Sequence, residues 1–102
     1  MTIRELQAHA DALCQQQGWT DHNPSQRFRY LISEGGELSK ELTRLEWNPN
    51  GTAIDEIKRN IGHEIYDIVW NLCELANQLE IDLETAFAEK QAINAARRWD
   101  SS

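Results

Sequence analysis

The chain has little with which to cross a membrane, cross-link itself or build a sheet. Its 102 residues include only two Cys, two Pro and one Met. Cys14 and Cys73 form no CxxC pair, and two isolated thiols suit reducing surroundings. The start, Met1-Thr2-Ile3-Arg4-Glu5, lacks the apolar stretch of a signal peptide, and no apolar run reaches membrane-spanning length. These absences set the expectation of a cytoplasmic protein with no membrane partner. Strand-like alternation is nearly absent, and there are no repeats or low-complexity segments. Nothing marks a second domain, so residues 1–102 read as one domain with a modest core. Positive charge is also scarce. Ten Lys and Arg against seventeen Asp and Glu give a formal charge of −7, which argues against a nucleic acid polymer as partner, because its phosphates would be repelled. A single metal-complexed nucleotide is compatible with that charge.

What the chain does have is helical periodicity, from which four helices are expected. The first runs from about Thr2 to Gln17, opened by the capping pattern Thr2-x-x-Glu5, with Ile3, Leu6, Ala10 and Leu13 as its apolar stripe and Gly18 as its stop. After the turn-rich stretch Trp19 to Ser25, a second helix reaches about Leu45, with Phe28, Leu31, Ile32, Leu38, Leu42 and Leu45 as the expected buried face. Gly35 falls on the same side. Trp47-Asn48-Pro49-Asn50-Gly51 reads as a loop. A long third helix follows from about Thr52 to Leu79, loosened near Gly62, with Ile54, Ile57, Ile61, Ile65, Ile68, Leu72, Leu75 and Leu79 as its apolar stripe. Asp82 caps a fourth, running to about Trp99, with Leu83, Ala86, Phe87 and Ile93 inward. Short connections imply an all-α antiparallel four-helix bundle.

Two acidic couplets at helical spacing stand out: Glu34 with Glu37, and Glu64 with Asp67. Like charges three residues apart cost an isolated helix about 0.2–0.5 kcal/mol, and two couplets facing each other repel more. On each helix the first acid falls roughly 70° and the second roughly 130° from the apolar stripe, so each couplet starts at the core edge and continues outward. Side-by-side packing would let four carboxylates converge on a hard cation, and Mg2+ is the usual ion for such oxygen ligands beside a phosphate. Glu41 and Asn71 extend the strip at either end. The competing reading is a solvated acidic flank. No Glu-x-x-His occurs, so the ligand set of di-iron bundles is missing, and His63-Glu64 lacks the second His of a zinc protease helix.

At these residues the chain resembles the MazG-like nucleoside triphosphate pyrophosphohydrolases, an all-α superfamily marked by Glu-Glu-x-x-Glu followed by Glu-x-x-Asp. The similarity includes Gly36-Glu37-Leu38, Leu75-Ala76-Asn77, Ile81-Asp82-Leu83 and the late Lys90, Asn94 and Arg97, and it is nearest the small dCTP-preferring members. The resemblance implies hydrolysis of nucleoside triphosphates to monophosphate and pyrophosphate with Mg2+, or Mn2+ in its place. It makes Glu34, Glu37, Glu64 and Asp67 the metal ligands, with Glu34 or Glu37 also the catalytic base. Ser33 stands where the family has its first Glu, a residue assigned to water activation in the members that carry it. Lys90, Asn94 and Arg97 lie at i, i+4 and i+7 and would meet the triphosphate. Trp19, His22 and Trp47 would contact the base, and Asn71 would also bind substrate. Core packing is the competing role for these aromatics, and macrodipole compensation the competing role for the basic residues.

A second apolar stripe, Tyr66, Val69, Trp70 and Cys73, lies on another side of the third helix and leads to an expected homodimer or homotetramer built as a dimer of dimers. Two other functions stay open: a non-catalytic acidic interaction module of antitoxin type, favoured by Ser33, and a relative of phosphoribosyl-ATP pyrophosphohydrolase.

Overall fold

A computed structural model describes residues 1–19, 23–48 and 51–97. The described residues form four helices and no strand: α1 (Ile3–Gln17), α2 (Pro24–Glu46), α3 (Ile54–Gln78) and α4 (Leu83–Ala96). Four of the helix boundaries have a clear local cause. Thr2 Oγ1 accepts the Glu5 N–H at 3.0 Å to start α1. Gly18 ends that helix in the left-handed region, with φ 71°. At α2, Asn23 accepts the Gln26 N–H while the Gln26 side chain accepts the Asn23 N–H, and Pro24 fills the first turn. Asp82 caps α4 through the Glu84 N–H at 3.1 Å. The α3 helix runs through Gly62 without a break, and Trp99 lies outside the described residues.

Packing runs in an open series: α2 lies along α3, α1 packs on α3, and α4 rests on α1. The buried centre is Ala10, Cys14, Trp70 and Cys73, with Leu6, Leu13 and Leu83 against it. A buried Gln7 joins three elements. Its Nε2 donates to Asn77 Oδ1 at 3.1 Å and to the Ile81 carbonyl, and its Oε1 accepts the Leu83 N–H at 3.0 Å. Arg4 adds exposed ion pairs to Asp82 and Glu84 at 2.7 and 2.8 Å, so α4 is moored chiefly at its N-terminal end.

The expected faces need four corrections, the first on α3, where Ile65, Leu72 and Leu79 of the expected apolar stripe are exposed. On α2 the side turned to α3 is Arg27, Leu31, Glu34, Leu38, Glu41 and Leu45, alternating four and three residues apart. Phe28, Ile32 and Leu42, expected inside, form a neighbouring seam one residue further round and are exposed, Ile32 to 61%. Trp70 and Cys73, expected on an outward stripe, belong to the α1–α3 core, which leaves Tyr66 and Val69 outside. Phe87 and Ile93 of α4, expected inward, are half exposed.

Candidate metal centre and adjoining cavity

Glu34 on α2 and Glu64 and Asp67 on α3 are all half-buried where these helices lie together, and one carboxylate oxygen from each falls within 4.8 Å of the other two. Helical spacing explains the meeting. Glu34 continues the Arg27–Leu31 seam, while Glu64 and Asp67 sit one turn apart along α3. The cost of the arrangement appears in its proton affinity. The Glu34 carboxyl is pushed up to about 7, first by its hydrogen bond to Glu64, then by burial and by the charges of Glu64, Asp67 and Glu37. Asp67 is raised as well, mainly by burial and then by Glu64. Glu64 Oε2 is buried with no hydrogen-bond partner. Crowded oxygens, one of them without a partner among the described residues, suit a hard divalent cation, which would favour the ionised form of Glu34.

Glu37 stands outside this group. It is exposed and pairs with Lys40 at 3.4 Å, an orientation that relieves the repulsion a fourth carboxylate would add. Glu41, one turn on, is engaged by Arg44 at 3.1 Å.

Beside the carboxylates lies a cavity of about 420 Å3. Glu34 and Asp67 form one part of its wall; Leu13, Trp19, Tyr30, Tyr66, Trp70, Arg27 and Asn71 form the rest. Trp19 meets Trp70 edge to face, with ring centres 6.0 Å apart. Asn71 is held at both ends of its amide: Nδ2 donates to the Asp67 carbonyl at 2.8 Å, and Oδ1 accepts from Arg27 Nη1 at 3.2 Å. The guanidinium sits over the Trp70 ring, 5.3 Å from its centre. Behind it, Cys14 Sγ lies 3.9 Å from Nη2. Burial, followed by a hydrogen bond to Glu74, pushes the Cys14 thiol up to about 11, so it stays protonated and inert.

The structure thus brings together Glu34, Glu64, Asp67, Asn71 and Trp19 of the residues expected at the site. Trp47 is 77% exposed and does not line the cavity. Lys90, Asn94 and Arg97 lie on or just past α4 and do not line it either. His22 lies outside the described residues. Sequence reasoning missed Arg27 and Tyr30, and placed Tyr66 and Trp70 on an assembly stripe instead of at the site. The signal for Arg27 was its position seven residues before Glu34, which puts it on the same face two turns away.

No family model and no solved structure matches the chain. Two curated proteins are similar to it. The gene 37 protein of Mycobacterium phage L5 is 29% identical over 55 residues, which span 54% of this chain and about half, 48%, of the phage protein. The uncharacterized protein YvdC of Bacillus subtilis (strain 168) is 27% identical over 96 residues, covering 89% of this chain and 91% of YvdC.

Proposed function

We propose that this chain is a MazG-like, Mg2+-dependent nucleoside triphosphate pyrophosphohydrolase that releases a nucleoside monophosphate and pyrophosphate, with dCTP or a related or non-standard deoxynucleotide as substrate. The observation that carries the reading is the convergence of Glu34, Glu64 and Asp67 beside a cavity walled by aromatic rings. A carboxylate cluster and a stacking pocket suit the two ends of one metal-bound nucleotide. Glu34, Glu64 and Asp67 would hold the ion; when bound, Mg2+ would lower the pKa of water and offset charge on the phosphate oxygens.

The chemistry is attack of water at the α-phosphorus. A P–O bond forms from water, the bond to the bridging oxygen of the β-phosphate breaks, and pyrophosphate departs with that electron pair. The proton of the water goes to a carboxylate. With Ser33 in place of the family's first Glu, the base that the triad itself offers is Glu34, and Glu37 reaches in only after releasing Lys40. Trp19 and Trp70 supply ring surface for the base. Contact of Lys90, Asn94 and Arg97 with the triphosphate is proposed across a homodimer or dimer of dimers, because α4 rests on α1 within one chain.

Incubating the protein with a panel of nucleoside triphosphates tests this reading, with pyrophosphate release measured in Mg2+ and in excess EDTA. Release that needs the metal is expected. Full activity in EDTA, or no release from any nucleotide, contradicts it.

A further inference from the structure

We infer that Arg27 is the specificity-determining residue of the cavity and reads a flat heterocycle by donating hydrogen bonds to two neighbouring acceptor atoms on its edge. The inference rests on the nucleotide reading of the cavity and adds the group that selects the base.

Arg27 is only 4% exposed, and among the described residues no carboxylate lies within ion-pair distance of it. A buried cation without a paired anion is costly and needs a local reason. Its five N–H groups find two partners among the described residues, Asn71 Oδ1 at 3.2 Å and the weak acceptor Cys14 Sγ at 3.9 Å. Among the described residues the Nε–H has no partner. Trp70, which also lines the cavity, has a buried Nε1–H without a partner. The two buried side-chain groups of this wall that lack a partner among the described residues are both donors, which favours a ligand that presents acceptors.

The setting narrows which acceptor fits. The guanidinium cannot turn to suit any visitor, because Asn71 holds it from one side and the Trp70 ring supports its face. Asn71 is itself fixed to the Asp67 carbonyl, so the orientation of Arg27 is tied to a residue of the carboxylate triad. The walls are aromatic and favour a flat ring over a tetrahedral anion. A rigid donor fork against a ring selects two adjacent acceptors. Cytosine has them at O2 and N3. Uracil and thymine carry an N3–H between their carbonyls and would set donor against donor. The prediction for pyrimidines is therefore discrimination at N3, and it depends on Arg27.

The test is equilibrium binding of dCMP, dUMP and deoxyribose 5-phosphate in Mg2+ to the full chain and to Arg27→Leu and Arg27→Lys. The unmodified protein is expected to bind dCMP at least about tenfold more tightly than dUMP, a modest return for exchanging one matched base edge for a mismatched one. Arg27→Leu should bring the two within about twofold, and Arg27→Lys, which keeps the charge but loses the fork, should fall between. The ratio of affinities does not depend on how much of a variant is folded, and the Lys variant supplies it if the Leu variant does not fold. An unchanged ratio in the variants, equal binding of dCMP and dUMP by the unmodified chain, or an equal loss of deoxyribose 5-phosphate binding would each overturn the assignment. The last result would make Arg27 an anion clamp. Arg27-dependent discrimination without turnover of any triphosphate would sustain this inference and remove the hydrolase reading; turnover with an Arg27-independent ratio would do the reverse.

Discussion

Glu34 is the residue whose behaviour should report most plainly on the site. Its carboxyl, ordinarily near 4.5, is pushed up to about 7 by the hydrogen bond to Glu64 and by burial. Folding therefore favours the protonated form. The stability this contributes is complete below about pH 4.5 and is lost as pH rises through about 7. Asp67 shifts in the same direction. Asp82, held low chiefly by its hydrogen bond to Arg4, acts oppositely, and only in acid. The metal-free protein should thus melt lower at pH 8 than at pH 5, by about 5 °C if roughly 1 kcal/mol survives solvent screening. Glu34→Gln should flatten most of that slope, and Mg2+ should restore the melting temperature at pH 8. A metal-free profile that is level between pH 5 and 8 would contradict the crowding of the triad. For activity, Glu64→Gln should lower kcat/KM by at least about 100-fold, whereas Glu37→Gln, outside the triad and paired with Lys40, should cost less. Equal losses from the two variants would put Glu37 among the ligands in the working enzyme.

Among the elements, α3 ends in a way that offers a clean stability test. The Ile81 N–H bonds to the Ala76 carbonyl at 2.8 Å and the Glu80 N–H to the Asn77 carbonyl at 3.1 Å, the paired pattern of a left-handed helix stop. Glu80 occupies the left-handed position, φ 56°, where glycine carries no Cβ penalty. Glu80→Gly should raise stability by about 0.5–1 kcal/mol, read as a gain of a few degrees in thermal melting; a loss would show that the Glu80 side chain contributes more than its backbone strain removes. The same element scale shows what was legible in the sequence. Caps and stops came through because they depend on neighbours in the chain: Thr2 with Glu5, Gly18, and Asp82 before α4. The faces were less legible. On α2, two apolar seams run one residue apart, Leu31–Leu38–Leu45 toward α3 and Phe28–Ile32–Leu42 outward. Hydrophobicity alone merges them into one stripe, since it does not say which chain covers an apolar residue. Charged residues in the inner seam, Arg27, Glu34 and Glu41, made that seam look like surface. On α3, Glu64 and Asp67 were legible as a couplet, but the cavity beside them depends on α1 bringing Trp19 to Trp70, a contact of long sequence separation.

The whole molecule exposes more surface than its mass calls for. Its accessible area is 7669 Å2, against roughly 5,900 Å2 for a compact protein of this size, and its radius of gyration is 17.0 Å against about 13 Å. The outer seam of α2, with Phe28, Ile32 and Leu42, and the corresponding seam of α3, with Ile65, Val69, Leu72 and Leu79, are exposed and apolar. Light scattering should therefore report a dimer or larger, and Ile32→Glu or Leu72→Glu should dissociate it or render it insoluble. A monodisperse, stable monomer for the unmodified chain would show that these seams are tolerated in water. The central claim, metal-dependent attack of water at the α-phosphorus beside the Glu34, Glu64 and Asp67 cluster, is tested most directly by hydrolysing dCTP in oxygen-18 water with Mg2+ and weighing the products by mass spectrometry. The account predicts labelled dCMP and unlabelled pyrophosphate, with turnover lost in Glu64→Gln. Label in the pyrophosphate, products dCDP and phosphate, or turnover undiminished in Glu64→Gln would contradict it.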